Sequence, residues 1–429
     1  MYRIVAAIIL TLFYLPIFGS DRVTIDSLDN YINKAIAGRY FPGAQLVISN
    51  SEGVVYSKSY GFTDYNYTSP VDDDTLFDLA SCTKVCATTL SIMTLIDEGR
   101  LTLDTRIDEV LNLADTLQFG DVKVKELLYH TSGFLSGVSV SLSLVKSAVE
   151  DQPALSRRRS DNNPYIYDTN YYAAREIVYD SLYISRDAGD NKFKISSQLY
   201  IDKSYLPKLD SMISAAYRPD RRGRHRYSDL NFYFLQKIVE RVSETSLDDY
   251  AQQIYSKMNL SDIGYNPLQW SEMDRISPTE YEPLFRRDSI RGIVHDELAC
   301  VQGGVAGNAG LFSSAKSVAQ ICAMFLRSGV DYNGNRIVDS MTLNRFTAPQ
   351  RSYGSIYSLG FAKVDSEKLP YTPVSYGHTG YTGTFFWIDP TKNLYVVLLT
   401  NRVYPTRANK RFDSQYRGDI WRLSTEIFE

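Results

Sequence analysis

The chain has 429 residues, 44% of them hydrophobic and 22% charged, an ordinary globular composition with ample material for a core. A net charge of −4 makes no global case for nucleic-acid binding. The length fits one large domain with an insertion, or two interleaved subdomains, better than three independent units.

Met1-Tyr2-Arg3 carries one positive charge, residues 4–18 are almost wholly apolar, and Gly19-Ser20 offers small residues for cleavage. That pattern predicts a signal peptide over residues 1–20 and an exported protein, periplasmic or extracellular, occupying residues 21–429. The apolar run falls short of the roughly 20 residues that span a bilayer. No cysteine follows it to carry a lipid, and no later segment is long and apolar enough to cross a membrane.

A helix is predicted over residues 27–37. Strands follow at 44–49 and 54–60, joined by Asn50-Ser51-Glu52-Gly53, a hairpin signal. Ser81-Cys82-Thr83-Lys84 then opens an amphipathic run over residues 81–98, with Val85, Leu90, Met93, Leu95 and Ile96 apolar and Gly99 as the stop. On a 3.6-residue period, positions i and i+3 share a face, so the Lys84 amine reaches the Ser81 oxygen. A buried lysine with a depressed pKa takes a serine proton, and a helix N-terminus favours the developing negative charge. This is the chemistry of a serine acyl-transferase that needs no histidine base. Taken alone the tetrapeptide is weak, because Ser-x-x-Lys recurs at Ser143 and Ser313.

Helical and loop patterns dominate to about residue 345. Residues 150–226 are the least regular, with Arg157-Arg158-Arg159, many tyrosines and a basic string from Arg218 to Arg226. They read as a solvated insertion or lid; the sharper reading is a patch that docks an anionic polymer. Strands are predicted again at 360–364, 383–388 and 394–400, then a helix over 412–427. Strands at both ends with helices between predict an α/β fold of the α+β type. One central antiparallel sheet is built from residues 21–80 and 345–429, with a mostly helical part, residues 81–344, inserted.

Four scattered cysteines make no disulfide framework. With four histidines there is no His-Glu-x-x-His pattern, no Gly-x-Ser-x-Gly elbow and no phosphate-binding loop. Metalloenzyme, nucleotide-dependent and α/β-hydrolase chemistries lose their usual support, and neither a metal nor any other cofactor is expected.

Two further motifs strengthen Ser81. Tyr227-Ser228-Asp229 opens a second amphipathic run, and His378-Thr379-Gly380-Tyr381 precedes the strand at 383–388. A nucleophile with its lysine, a tyrosine beside them and an edge strand to align substrate, in this order, form a penicillin-recognising serine site. Their flanks match too: Thr75-Leu76-Phe77-Asp78-Leu79-Ala80 before Ser81, Leu127-Leu128-Tyr129-His130-Thr131-Ser132-Gly133, Ala309-Gly310-Leu311-Phe312-Ser313-Ser314-Ala315, and Val294-His295-Asp296-Glu297 through Gly303-Gly304-Val305-Ala306-Gly307. On these residues the chain resembles the serine β-lactamase superfamily. The resemblance covers nearly everything after residue 20. It is greatest to the branch of class C β-lactamases, D-alanyl-D-alanine carboxypeptidase-type penicillin-binding proteins and related esterases, and within it to penicillin-binding-protein-4B-like members.

The resemblance implies Ser81 as nucleophile, Lys84 and Tyr227 sharing the general base, and the backbone N–H groups of Ser81 and Tyr381 as the oxyanion hole. It places Asp229, His378, Thr379 and Gly380 against the substrate, with Arg402 or Arg407 on a substrate carboxylate. The implied activity is hydrolysis of cell-wall peptides or related small amides and esters. The alternatives are β-lactam hydrolysis and a catalytically silent wall-peptide binder. Ser313 reads as a helix N-cap and Ser143 as an ordinary helix face. The sequence departs from the family at two positions. His378 stands where lysine is common, so carboxylate binding is expected to weaken as pH rises through neutrality. Asp229 stands where asparagine is common; an ionised carboxylate only accepts hydrogen bonds, and pairs with Lys84 or Arg226. Peptidase or esterase chemistry therefore survives better than efficient β-lactam turnover.

Overall fold

The computed structural model describes residues 23–114, 117–352, 355–364 and 370–428; the predicted signal peptide lies outside them. Helix α1 (Ile25–Ala37) starts at a Thr24 capping box and turns Leu28, Ile32 and Ala35 inward. Strands β1 (Gly43–Ser49) and β2 (Val54–Gly61) form the predicted hairpin. Next come α2 (Leu90–Asp97), α3 (Asp229–Ser243) and α4 (Ala315–Leu326). Strands β3 (Tyr376–Thr379), β4 (Phe385–Asp389) and β5 (Leu394–Thr400) follow, and α5 (Ser414–Phe428) ends the described chain.

The two termini build one five-stranded antiparallel sheet in the order β3-β4-β5-β1-β2. β1 and β5 are buried along their whole length, because each face of the sheet carries its own core. Alternate side chains go to opposite faces. Ala44, Leu46, Ile48, Val396 and Leu398 meet Leu28, Ile32, Ile420 and Trp421 of α1 and α5. Val47, Val397 and Leu399 enter the larger core on the other face, where α4 packs against β1 and β5. Each large aliphatic side chain buried here contributes about 1.5–3 kcal/mol.

Three sequence expectations change. The run over residues 81–98 is not one α-helix. A 3-10 turn (Ala80–Cys82) leads into a π-helix (Lys84–Thr89), and only then α2. Thr83, Val85, Thr88 and Thr89 are poor helix formers, and the Thr88 hydroxyl donates to the Gly307 carbonyl at 2.8 Å, so the winding follows the neighbouring loop. The part between residues 145 and 202 is richer in strand than expected. Eight strands of two to four residues pair there into three small sheets, too short for an alternation signal. The strand predicted at 360–364 reduces to a single bridge between Ala362 and Gly377.

Candidate active site

Ser81 sits in the 3-10 turn, where residues three apart eclipse one another, so Lys84 lines up beneath it. Lys84 Nζ donates to Ser81 Oγ at 3.0 Å and to the Asn308 carbonyl at 3.0 Å. The Tyr227 hydroxyl donates to the same Oγ at 2.9 Å. Lys84 Nζ also lies 2.7 Å from Asp229 Oδ1, at the first turn of α3, and 5.0 and 5.5 Å from the ring centres of Tyr227 and Phe232. The lysine is fully buried, whereas the Asp229 side chain keeps 30% of its surface.

The charge state of Lys84 is the opposite of that expected. Burial pulls its amine down, but the Asp229 carboxylate, with help from Tyr227, outweighs burial and holds it above the ordinary lysine value. Tyr227 is 39% exposed as a residue, yet its hydroxyl is enclosed; burial raises it, against the pull of the Lys84 ammonium. In the resting site both neighbours of Oγ are therefore protonated donors, and neither is a ready base. The expected pairing of Asp229 is with Lys84 rather than Arg226, whose Nε donates to the Ser136 hydroxyl.

The nucleophile turn is pinned from the far end of the chain. Ala80 has φ +45°, a strained value for alanine, and its N–H is held by Asp78 Oδ1 at 2.8 Å. The hydroxyls of Thr382 and Thr384 donate to the carbonyls of Asp78 and Leu79 at 2.7 and 2.9 Å. Gly380 lies in that junction because a Cβ there would meet the Leu79 oxygen at 2.5 Å. These bonds hold the β3–β4 turn, with Tyr381, against the segment that carries Ser81. On the other side, His130 Nδ1 accepts the Ser228 N–H at 3.1 Å, and its ring lies 4.8 Å from that of Tyr227.

His378 and Thr379 lie on β3, the edge strand, as expected. His378, however, is buried. Burial, with a smaller push from Lys84, brings its imidazole down to about 3, and Nδ1 lies 2.9 Å from the Thr379 carbonyl. It is neutral throughout the working range, so the expected loss of carboxylate binding between pH 6 and 8 does not follow from this residue.

The two arginines part company. Arg402 stacks its guanidinium on the Tyr381 ring at 4.7 Å and donates to the Asn409 carbonyl at 2.9 Å. Arg407 is unavailable to substrate. Its Nε donates to both Glu280 oxygens at 3.0 Å, Nη1 to the Tyr167 hydroxyl at 3.0 Å and Nη2 to Glu297 Oε1 at 2.9 Å. The bidentate contact expected with substrate is made with Glu280 instead. His295 Nε2 lies 2.9 Å from Glu280, and its ring is 5.6 Å from that of Tyr381, so this cluster stands behind the β3–β4 turn. Asp296 caps a short helix and accepts Asn308 Nδ2 at 3.0 Å. Asn308, with its carbonyl on Lys84, is a site residue that sequence reading passed over; only its place after Gly307 hinted at it.

The remaining Ser-x-x-Lys matches are not nucleophile sites. The Ser143 hydroxyl donates back to the Val140 carbonyl. Ser313 ends a short strand and bonds the Asp262 carbonyl, and the N-cap of α4 is Ser314, one residue later than expected. In the basic string, Arg222 is tied to Asp121 and Glu126 at 2.8 Å each.

Comparison with known proteins bears on the family and the fold. The family model described as Beta-lactamase matches residues 28–161 and 200–416. An "N-acetylmuramyl-L-alanine amidase" of Bacillus subtilis (strain 168) is 28% identical over 91% of this chain and 84% of its own. A "Putative D-alanyl-D-alanine carboxypeptidase" of Escherichia coli (strain K12) is 27% identical over 91% and 85%. Among solved structures, the octameric penicillin-binding protein homologue from Pyrococcus abyssi superimposes with a TM-score of 0.60 at 18% identity, over 88% of this chain and 73% of that one; it shares the fold.

Proposed function

The chain belongs to the beta-lactamase family and is a serine hydrolase of the β-lactamase and penicillin-binding-protein type, and on that premise we propose that it is an exported enzyme forming an acyl-enzyme through Ser81. Its substrates in this reading are D-amino-acid peptides of the cell wall, or related small amides and esters. The observation that carries the proposal is the position of Ser81 Oγ between Lys84 Nζ and the Tyr227 hydroxyl, at 3.0 and 2.9 Å. The names of the two sequence relatives, an amidase and a carboxypeptidase, favour amide bonds. The apolar run of residues 4–18 favours export.

Because Lys84 rests as an ammonium, it first passes a proton to Asp229, 2.7 Å away. The amine so formed takes the Ser81 proton as Oγ bonds to the substrate carbonyl carbon. The carbonyl electron pair moves onto oxygen, where the Ser81 and Tyr381 N–H groups receive it. Collapse of this intermediate breaks the bond to the leaving amine or alkoxide, which takes a proton through Tyr227. Water then hydrolyses the acyl-enzyme by the reverse transfers. Thr379 and Gly380 on and after the edge strand line the substrate backbone, with neutral His378 beside them. β-Lactam turnover is the weaker reading, since Asp229 is committed to Lys84 and donates nothing to a substrate amide.

The test is incubation of the purified protein with a fluorescent penicillin, alongside a D-alanyl-D-alanine peptide and a chromogenic ester. A covalent adduct that persists, is absent in Ser81→Ala, and accompanies peptide or ester hydrolysis is the expected result. Absence of both adduct and hydrolysis would sink the reading, and fast release of opened drug would move it to a β-lactamase.

A further inference from the structure

Away from Ser81, a cavity of about 400 Å³ opens between the small sheets of residues 145–202 and the turn that joins Tyr281–Glu282 to Asp288–Ser289. Four arginines line it: Arg175, Arg186, Arg286 and Arg287. Among the described residues, none of the four makes an ion pair. Their hydrogen bonds go to neutral oxygens instead. Arg175 Nε donates to the Asp161 carbonyl at 3.1 Å and Arg186 Nη1 to the Gln198 amide oxygen at 3.0 Å. Arg286 donates to the carbonyls of Val294 and His295 at 2.7 and 2.5 Å. Arg287 donates to those of Arg175 and Ala174 at 2.8 and 2.5 Å.

Arg286 is balanced from behind by Glu297, Glu282 and Glu280; around the other three arginines the opposing charge is smaller. Two carboxylates line the same cavity, Glu176 and Asp288, and Asp288 already accepts the Ser197 and Ser289 N–H groups at 2.7 and 2.8 Å. Glu282, behind Arg286, is turned onto the backbone N–H groups of residues 284–286. Arg286 is 2% exposed, with its guanidinium on the Val294 and His295 carbonyls and Cys300 beside it, so it braces the wall, and Arg175, Arg186 and Arg287 carry the open charge. A guanidinium fork fits the two oxygens of a carboxylate or phosphate.

We propose that this arginine-lined cavity binds an oxyanion, a phosphate or a dicarboxylate, at a site separate from the Ser81 cleft. The ligand's oxygens balance the charge that Arg175, Arg186 and Arg287 bring to the lining. In the basic string at residues 218–226, Arg222 is spent on Asp121 and Glu126.

Calorimetric titration of the full chain at low ionic strength, with inorganic phosphate and separately with succinate, tests the site. One saturable site is expected for at least one of them, and the tighter anion identifies the ligand as phosphate or carboxylate. The exposed pair is the one to change, because Arg286 also holds the backbone at His295. In Arg175→Gln/Arg186→Gln, binding is expected to weaken at least about tenfold, the loss of one charge-assisted hydrogen bond or more. Glu176→Gln is expected to tighten it, and Ser81→Ala to leave it unchanged, so the outcome is independent of the catalytic reading. Failure of both anions to saturate, or wild-type affinity in the double variant with an unchanged circular dichroism spectrum, overturns the proposal.

Discussion

Two buried cations sit beside the catalytic turn, and they are built for opposite ends. Lys84 meets one carboxylate, Asp229, which remains 30% open to the cleft, and it shares its protons with the Ser81 hydroxyl. Arg407 meets two, Glu280 and Glu297, with side-chain exposures of 8%, 1% and 20%, and a tyrosine hydroxyl besides. A lysine ammonium gives up a proton when a base is offered; a guanidinium does not. The first cluster can therefore move a proton, while the second only holds its shape. The carboxylates respond accordingly. Burial alone would raise Glu280, but His295 and Arg407 hold it well below the ordinary range.

The sharpest way to separate the clusters is to remove one carboxylate from each. Glu280→Gln leaves Arg407 buried with one carboxylate instead of two, and the expected cost is about 3–5 kcal/mol of stability, read as a lower denaturant midpoint at constant m. A loss below about 1 kcal/mol would show that the second cluster is not structural. Asp229→Asn also costs stability, because it leaves the Lys84 amine buried without its carboxylate, but its distinguishing effect is on the pH–rate profile. In the native pair one proton moves between Lys84 and Asp229, so kcat/KM is expected to be nearly flat around neutrality. Without the carboxylate only Tyr227 still opposes burial, so the Lys84 value falls, and only the neutral amine is active. The rate should then climb about tenfold per pH unit, roughly 100-fold from pH 6 to 8; a flat profile in the variant would exclude Asp229 from the proton path.

The smallest effect concerns His378. Its folded value, about 3, lies below the unfolded reference of roughly 6.5, so the unfolded chain binds the extra proton as pH falls. The stabilisation is complete above about pH 6.5 and is lost on acidification. The native protein should lose about 2 kcal/mol more between pH 7 and 5 than His378→Gln does. Parallel stability curves for the two proteins would mean that His378 is charged in the fold after all.

Much of this was legible beforehand because it is local. The hairpin of β1 and β2 needed only alternating residues around a turn. Ser81-x-x-Lys84, Tyr227-Ser228-Asp229 and His378-Thr379-Gly380 carry their chemistry within a few residues, so their order and flanks pointed to the family. The helix types at Ala80–Thr89 and the small sheets of residues 145–202 were not legible, because side-chain bonds to distant loops and strand partners many residues away set them.

The amino-acid sequence by itself determined the family, since Ser81, Lys84 and Tyr227 with their flanks are given by residue identity and order. The central sheet from both termini followed in the same way, because strand periodicity is a local property. Tertiary structure alone decided the charges. Whether Lys84 rests as an ammonium, whether His378 titrates, and which arginine pairs with carboxylates depend on burial and on the nearest opposite charge. Those neighbours come from segments up to about three hundred residues apart, and no spacing along the chain encodes the distance between them.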